Sequence, residues 1–488
     1  MRPESRPNRP PLRPIWGVGG VFAIAGVLWL AYGPGFLGID ALWSVVWGRD
    51  LVHLSALEAS GTTTPHLLSN LLGALLAPFG SSADRALSAL TYLGAGTLVV
   101  GAAATAREIA GAGAAVVAGL LMASREQLLY ATRSGFLDVF VAALVIWAVF
   151  LLVRSRGERV RGAGLLLFLA GLLRPEPWVV LAVLAFLHWR RAGGLDRLLA
   201  ALVVAVPAIW ALGDLILSGD ALYSLHHTTE VVELFRAGND IPTGWQERIV
   251  SIPRNVAHAP GPELLVLGLL VAALAVLPGP GMGRLRVRLT GERLAGPAVG
   301  QLGVVVLVAV VLVAVVAGES LIGTLLFSRF LLPFAALTVV LVAVGLTFAA
   351  QALLGRRAVP GLAVATVVLL VVAAPFLRSA RTTTDPERAR YEAARAVIAP
   401  GVPCGPVVVP GVNLQAAVAV WTGRRGGEVL PAAELAELPE FGTFVDAQGS
   451  EPEKLLLDPS FPQRRVGAQG GTLVRTGGGW TLRATCAR

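Results

Sequence analysis

The sequence predicts an α-helical polytopic membrane protein carrying a small C-terminal α/β domain. Three observations carry that prediction. Of 488 residues, 55% are hydrophobic and only 15% are charged, against about 25% charged in soluble domains. Apolar runs recur from the first segment to about residue 376; a spanning helix needs about 20 apolar residues, and backbone groups in lipid must pair internally, which favours helices. Beyond that point, short apolar stretches bounded by Gly and Pro replace the long runs.

The elements follow in order. The basic, Pro-rich start MRPESRPNRPPLRP reads as a cytoplasmic tail (1–14). The apolar run after it is long and lacks a clear small-residue cleavage site, so a retained anchor, about Trp16 to Tyr32, is expected. A membrane domain over 15–376 follows, with outer loops at 33–83 and 218–262. Within the first loop, His66 to Phe79 reads as a helix that lies at the outer interface or is partly inserted. Further segments are expected near 86–105, 113–122, 139–153, 163–173, 178–188, 198–217, 264–277, 304–316, 330–348 and 362–376. The total is about eleven transmembrane helices. Arg174-Pro175-Glu176-Pro177 is the turn between two short halves, because Pro cannot continue a helical ladder and restricts the residue before it.

Charge supports the alternation. Six basic clusters fall on one side, while Asp40, Asp50, Glu58 and Glu319 fall on the other, as the positive-inside rule requires. The net charge of +9 therefore reads as topology signal and not as a nucleic-acid surface. The tail, 377–488, is read as an extracytoplasmic α/β domain: DPERARYEAARAVIA as helix, and GPVVVPG, AAVAVW, GTFVDA and GTLVRTGGGWTLRA as strands. Its two cysteines, Cys404 and Cys486, permit either a disulfide or two free thiols, since spacing alone does not decide pairing.

Ionisable residues at or near the bilayer are expensive and by default suggest function. The candidates for catalysis are Asp40, Asp50 and Asp138. Those for substrate binding are His66, Arg133, Arg174, Glu176 and Arg329. Arg binds phosphate through charge-assisted, often bidentate bonds, and a carboxylate within reach of a hydroxyl can act as general base. Each has a plainer role open to it: Asp40 as a helix cap, Asp50 paired with Arg49, Arg133 paired with Asp138, Arg174 and Glu176 as turn residues, Arg329 snorkelling to the interface. His226-His227 read as solvated loop. No DxD, HExxH, P-loop or GxSxG pattern is present, so neither a metal nor another cofactor is indicated.

The order of features resembles a known group. An outer loop with an early Asp (GIDALWSVVWGRDL) precedes a TPH helix start, an R-x-G-F-L-D element (Arg133 to Asp138), a Gly-Leu-Leu-Arg-Pro-Glu corner and an S-R-F-L-L-P span start. Over most of residues 16–376 the chain resembles the polytopic glycosyltransferases of the GT-C fold, the broad group of protein O-mannosyltransferases and aminoarabinose transferases. The resemblance implies transfer of a sugar from a polyprenyl-phosphate donor to an acceptor hydroxyl at the outer face of the cytoplasmic membrane. Its partners would be that donor, membrane lipid and an acceptor of unspecified class (protein, lipid or glycan). Asp40 would be the base for an inverting attack, and Arg174 and Arg329 would lie near the donor phosphate. Two departures stand out: Asp40 is followed by Ala41 and not by a second acid, and Thr64-Pro65-His66 replaces the usual Pro-Pro pair. A transporter or lipid flippase is the competing reading, though no convincing internal repeat supports it; a non-catalytic cell-envelope scaffold is the other.

Overall fold

The computed structural model describes residues 14–54, 64–155, 158–238, 244–277, 297–447 and 471–486, with positions 285, 287, 290, 464 and 466. Seventeen helices are used below, numbered along the chain. They are α1 (Pro14–Tyr32), α2 (Ile39–Val52), α3 (Leu67–Leu76), α4 (Ala83–Ala110), α5 (Ala112–Ala123), α6 (Glu126–Arg133), α7 (Asp138–Ser155), α8 (Val160–Gly171) and α9 (Glu176–Ala192). There follow α10 (Arg197–Ser218), α11 (Tyr223–Gly238), α12 (Trp245–His258), α13 (Pro262–Val276), α14 (Pro297–Leu321), α15 (Leu332–Leu354), α16 (Ala358–Ile398) and α17 (Val412–Thr422).

By length and composition, five of the described helical stretches could cross a membrane, or six if the pair α12–α13, bent by 88°, is one broken span. The expected count of eleven is not confirmed, and the stretch Ser328–Ile398, counted once here, takes in both α15 and α16. Segments such as α5 and α8 have 12 residues each, about 18 Å at 1.5 Å per residue, well short of a hydrocarbon core about 30 Å thick. Helices α4, α7 and α15 form the centre of the bundle, and α15 is buried almost along its whole length.

Two expected loops are largely helical. The stretch after the first span contains α2, and its residues from Ala41 to Asp50 are all buried. A helix covered on every face needs no polar stripe, so its sequence has no 3.6-residue apolar period to read. The stretch 218–262 contains α11 and α12. Helix α3 lies hard against α2 through glycine: a Cβ at Gly73 would stand 1.9 Å from the Ser44 carbonyl oxygen, and one at Gly48 would stand 2.2 Å from the Ala74 nitrogen. Only glycine allows backbones to approach this closely.

The expected boundary at 376/377 falls inside α16, 41 residues long. That helix leaves the apolar bundle and runs on into the C-terminal unit. There a five-stranded sheet has the order β2-β1-β3-β5-β4, with β1 (Val407–Val409), β2 (Val429–Pro431), β3 (Gly442–Ala447), β4 (Thr472–Gly477) and β5 (Trp480–Thr485). β1 is parallel to β2 and β3, while β5 is antiparallel to β3 and β4. AAVAVW, read as a strand, belongs instead to α17. Every residue from Val412 to Trp421 is buried, and an unbroken apolar run does not distinguish a buried helix from a buried strand. Cys404 and Cys486 are joined by a disulfide that ties the start of the sheet unit to its end.

The unit does not hang free. Trp43, Val46 and Trp47 of α2 share one core with Leu414, Val418 and Trp421 of α17 and with Trp480 of β5. Asp84, at the start of α4, accepts hydrogen bonds from Tyr391 Oη (3.0 Å), Arg395 Nε (3.0 Å) and Trp421 Nε1 (3.2 Å).

Candidate active site

A short backbone zipper sets the site. Gly135 has φ +68, and a Cβ there would meet Leu37 Cδ2 at 2.4 Å, so the turn requires glycine. The turn lets the Phe36 amide donate to the Arg133 carbonyl (2.7 Å) and the Gly38 amide donate to the Ser134 carbonyl (2.8 Å). The start of α2 is thereby stitched to the turn before α7, and Asp40 and Asp138 are brought to one place. Asp40 lies in the first turn of α2, where a carboxylate is favoured by the helix dipole; Gly38 and not Asp40 is the cap.

Two guanidinium groups join these acids. Arg329 Nη2 donates to Asp40 Oδ2 at 3.0 Å, and its Nε stands 3.9 Å from Asp138 Oδ2. Arg174 Nη1 donates to Asp138 Oδ1 at 3.2 Å, and its Nη2 donates to Glu176 Oε1 at 2.8 Å. Both rest on aromatic faces: Arg174 lies 3.6 Å from the Phe330 ring centre and Arg329 lies 3.7 Å from that of Phe136. Such cation–π contact holds a guanidinium flat and still. The carboxylates differ in access, with the Asp40 side chain 42% exposed and that of Asp138 8% exposed. Asp40 is the acid that a substrate could reach.

His66, just before α3, packs its ring 4.9 Å from that of Trp210, and its Nδ1 is buried without a hydrogen-bond partner. Burial and the nearby Arg174 push its pKa down to about 4, with Asp40 opposing. At neutral pH the ring is therefore uncharged.

Of the residues singled out from sequence, five gather here: Asp40, Asp138, Arg174, Glu176 and Arg329. His66 stands within electrostatic reach of them. Arg133 does not join them. It is 1% exposed, donates to Thr384 Oγ1 at 2.8 Å and pairs with Asp385 at 2.6 Å, so it fastens α6 to α16 and leaves Asp138 to Arg174. Asp50 is ten residues along α2 from Asp40, about 15 Å away at the helical rise, and is buried. Its neighbour Arg49 donates to the carbonyls of Ala419 and Arg424 in the C-terminal unit. His226, expected in a solvated loop, is on α11 with Nδ1 2.7 Å from Asp220. Nothing in the sequence marks Phe136 and Phe330 as an aromatic floor, although each sits inside one of the motifs (R-x-G-F-L-D and S-R-F-L-L-P). Among the described residues no three His, Cys, Asp or Glu side chains gather so as to hold a metal ion.

No protein-family model matches the chain, and no curated sequence matches it either. Solved structures do. The crystal structure of ArnT from Cupriavidus metallidurans bound to undecaprenyl phosphate is similar at TM-score 0.57 and 12% identity, over 97% of this chain and 98% of that one. The apo form of ArnT is similar at TM-score 0.55 and 13% identity, over 95% and 97% of the two chains. The chain has the GT-C fold. An oligosaccharyltransferase of Archaeoglobus fulgidus in the apo form is similar at TM-score 0.50 and 14% identity, over 86% of this chain and 65% of that one. The GT-C likeness to ArnT extends over the C-terminal sheet unit as well as the helical bundle, since nearly the whole of each chain is covered. The sequence motifs pointed to the same fold.

Proposed function

We propose that the protein is a glycosyltransferase that moves a sugar from a polyprenyl-phosphate donor to an acceptor hydroxyl at the outer face of the cytoplasmic membrane. The observation that carries this reading is the Asp40–Arg329 pair at 3.0 Å, with Asp40 open to solvent and Arg329 held on Phe136. An ionised, reachable carboxylate is what an acceptor hydroxyl needs in order to lose its proton. A fixed guanidinium beside it can stabilise charge that develops on the departing phosphate oxygen. In this reading Asp40 takes the proton as the acceptor oxygen attacks the anomeric carbon from the face opposite the phosphate; the C–O bond to phosphate breaks with inversion, and the polyprenyl phosphate leaves.

Arg174, Asp138 and Glu176 have a different part. Three of the guanidinium nitrogens are engaged with carboxylates, so this group serves as a framework that holds the Arg329 side of the site in position. The GT-C fold supports the reaction class, because ArnT was crystallised with undecaprenyl phosphate. Phosphate contact by Arg174, expected from sequence, is not part of the proposal. The sheet unit is assigned to the extracytoplasmic side, consistent with its contact with α2 and with the start of α4. The test is transfer from labelled polyprenyl-phosphate sugars in membrane vesicles. Transfer should disappear in Asp40→Asn, and wild-type rates in that variant would remove Asp40 as the base.

A further inference from the structure

A cleft of about 220 Å³ opens between the end of α1, residues 34–37, the start of α4 and the C-terminal part of α16. Trp29, Arg85, Ser88, Tyr391 and Glu392 line it. It is separate from the reaction centre, since none of Asp40, Asp138, Arg174, Glu176 or Arg329 takes part in its walls.

Two opposite charges share this hollow without meeting. The Arg85 guanidinium and the Glu392 carboxylate both line it, yet they do not pair with each other. Among the described residues neither side chain has a hydrogen bond or ion pair. The remaining charge at the cleft is already balanced: Asp84 accepts from Arg395 Nε, Tyr391 Oη and Trp421 Nε1. A cation and an anion held apart in one hollow match a ligand that carries both signs, because each then gains a charge-assisted partner.

The surroundings favour a lipid as the carrier of those charges. The cleft opens beside α1, on which Val18, Phe22, Val27, Trp29 and Leu30 are each half exposed or more. Apolar surface of that extent suits hydrocarbon and not water. Trp29 belongs to both regions, and Trp is enriched where hydrocarbon meets the headgroup layer. Acyl chains laid against α1 bring a polar head to the cleft.

We infer that the cleft seats the head of a membrane phospholipid that carries a phosphate diester and a primary amine. Arg85 donates to the phosphate oxygens, a geometry that suits a guanidinium. Glu392 accepts from the ammonium, and the chains run along α1. A quaternary ammonium has no N–H for Glu392, and a glycerol head has no positive charge for it, so neither fills the site equally. Placing this lipid in the outer leaflet rests on the orientation of α1 read from the sequence. The seat itself does not depend on the glycosyl-transfer reading.

The test uses the detergent-solubilised full chain. Native mass spectrometry measures retention of phosphatidylethanolamine, phosphatidylcholine and phosphatidylglycerol with identical acyl chains. Wild type should hold phosphatidylethanolamine about tenfold more tightly than phosphatidylglycerol, the scale of one charged hydrogen-bonded contact, with phosphatidylcholine between them. Glu392→Gln should lose that preference, while Arg85→Gln should weaken all three lipids alike. Should Arg85→Gln fail to fold, Glu392→Gln decides alone. Equal retention of phosphatidylethanolamine and phosphatidylglycerol by wild type would overturn the site, as would an unaltered preference in a folded Glu392→Gln. Glycerophosphoethanolamine has the head without the chains and should compete poorly; competition equal to that of the lipid would overturn the lipid assignment. None of these outcomes depends on whether Asp40→Asn abolishes sugar transfer.

Discussion

Arg329 Nη2 meets Asp40 Oδ2 at 3.0 Å across a sequence separation of 289 residues. The contact joins the first helix after the opening span to the 3-10 turn that begins α15. The same guanidinium reaches toward Asp138 and lies flat on Phe136, so charge and plane are both fixed before any substrate arrives. Such preorganised donors are worth about 10²–10³ in rate where they stabilise developing charge. Arg329→Gln is accordingly expected to lower turnover by that order. Arg329→Lys keeps the charge and loses the planar stack, and so should recover only part of it. Initial rates of sugar transfer in nanodiscs measure both; a Gln variant at the wild-type rate would take Arg329 out of the reaction.

Arg174 calls for the opposite expectation. Its partners Asp138 and Glu176 have side chains 8% and 4% exposed, and removal of the guanidinium leaves two acids in a poorly solvated place. Breaking a buried pair in this way costs about 3–5 kcal/mol. Arg174→Ala should therefore appear first as a lower unfolding temperature, while Glu176→Gln, which keeps the shape, should cost less. A variant that melts like wild type yet binds donor poorly would restore Arg174 to the phosphate.

How far the sequence could be read depends on what each residue's surroundings leave visible. The reactive corner was legible because charges beside apolar runs stand out: Asp40, Asp138, Arg174, Glu176 and Arg329 all surfaced that way. Arg133 surfaced by the same rule and went elsewhere, since nothing local shows that Asp385 waits 252 positions down the chain. Helices α2 and α17 were missed as helices because burial on every face erases the periodicity that marks one. The break expected near residue 376 is no break in the backbone: hydropathy falls there while α16 continues.

The glycine contact between α2 and α3 gives a stability prediction that does not depend on any substrate. A Cβ at Gly73 would meet the Ser44 carbonyl at 1.9 Å, and backbone cannot rotate away as a side chain can. Gly73→Ala must push α3 off α2 by an ångström or more, and overpacking of this kind typically costs about 1–3 kcal/mol. The shift would also move Asp40 relative to Arg329, since α2 carries it. Thermal unfolding and transfer rate should fall together. An unchanged melting temperature in Gly73→Ala would show that the two helices do not approach as described.

His66 supplies a pH dependence whose sign can be worked out. Its pKa is about 4 in the folded chain against 6.5 for an ordinary histidine, with burial the main cause and Arg174 the second. Between those values the unfolded chain binds a proton there and the folded chain does not, so stability rises with pH across that window. The contribution is fully present above about pH 6.5 and is lost progressively as pH falls toward 4. At 1.36 kcal/mol per unit the whole swing is at most roughly 3 kcal/mol, and residual contact with solvent reduces it. His66→Gln cannot titrate, so its melting temperature should fall less than that of wild type between pH 7 and pH 4.5. Equal falls in the two proteins would mean that the ring is not held neutral. Near neutral pH the same shift leaves His66 to offer Nδ1 as a hydrogen-bonding group and not as a charge, so a donor phosphate must find its cations elsewhere.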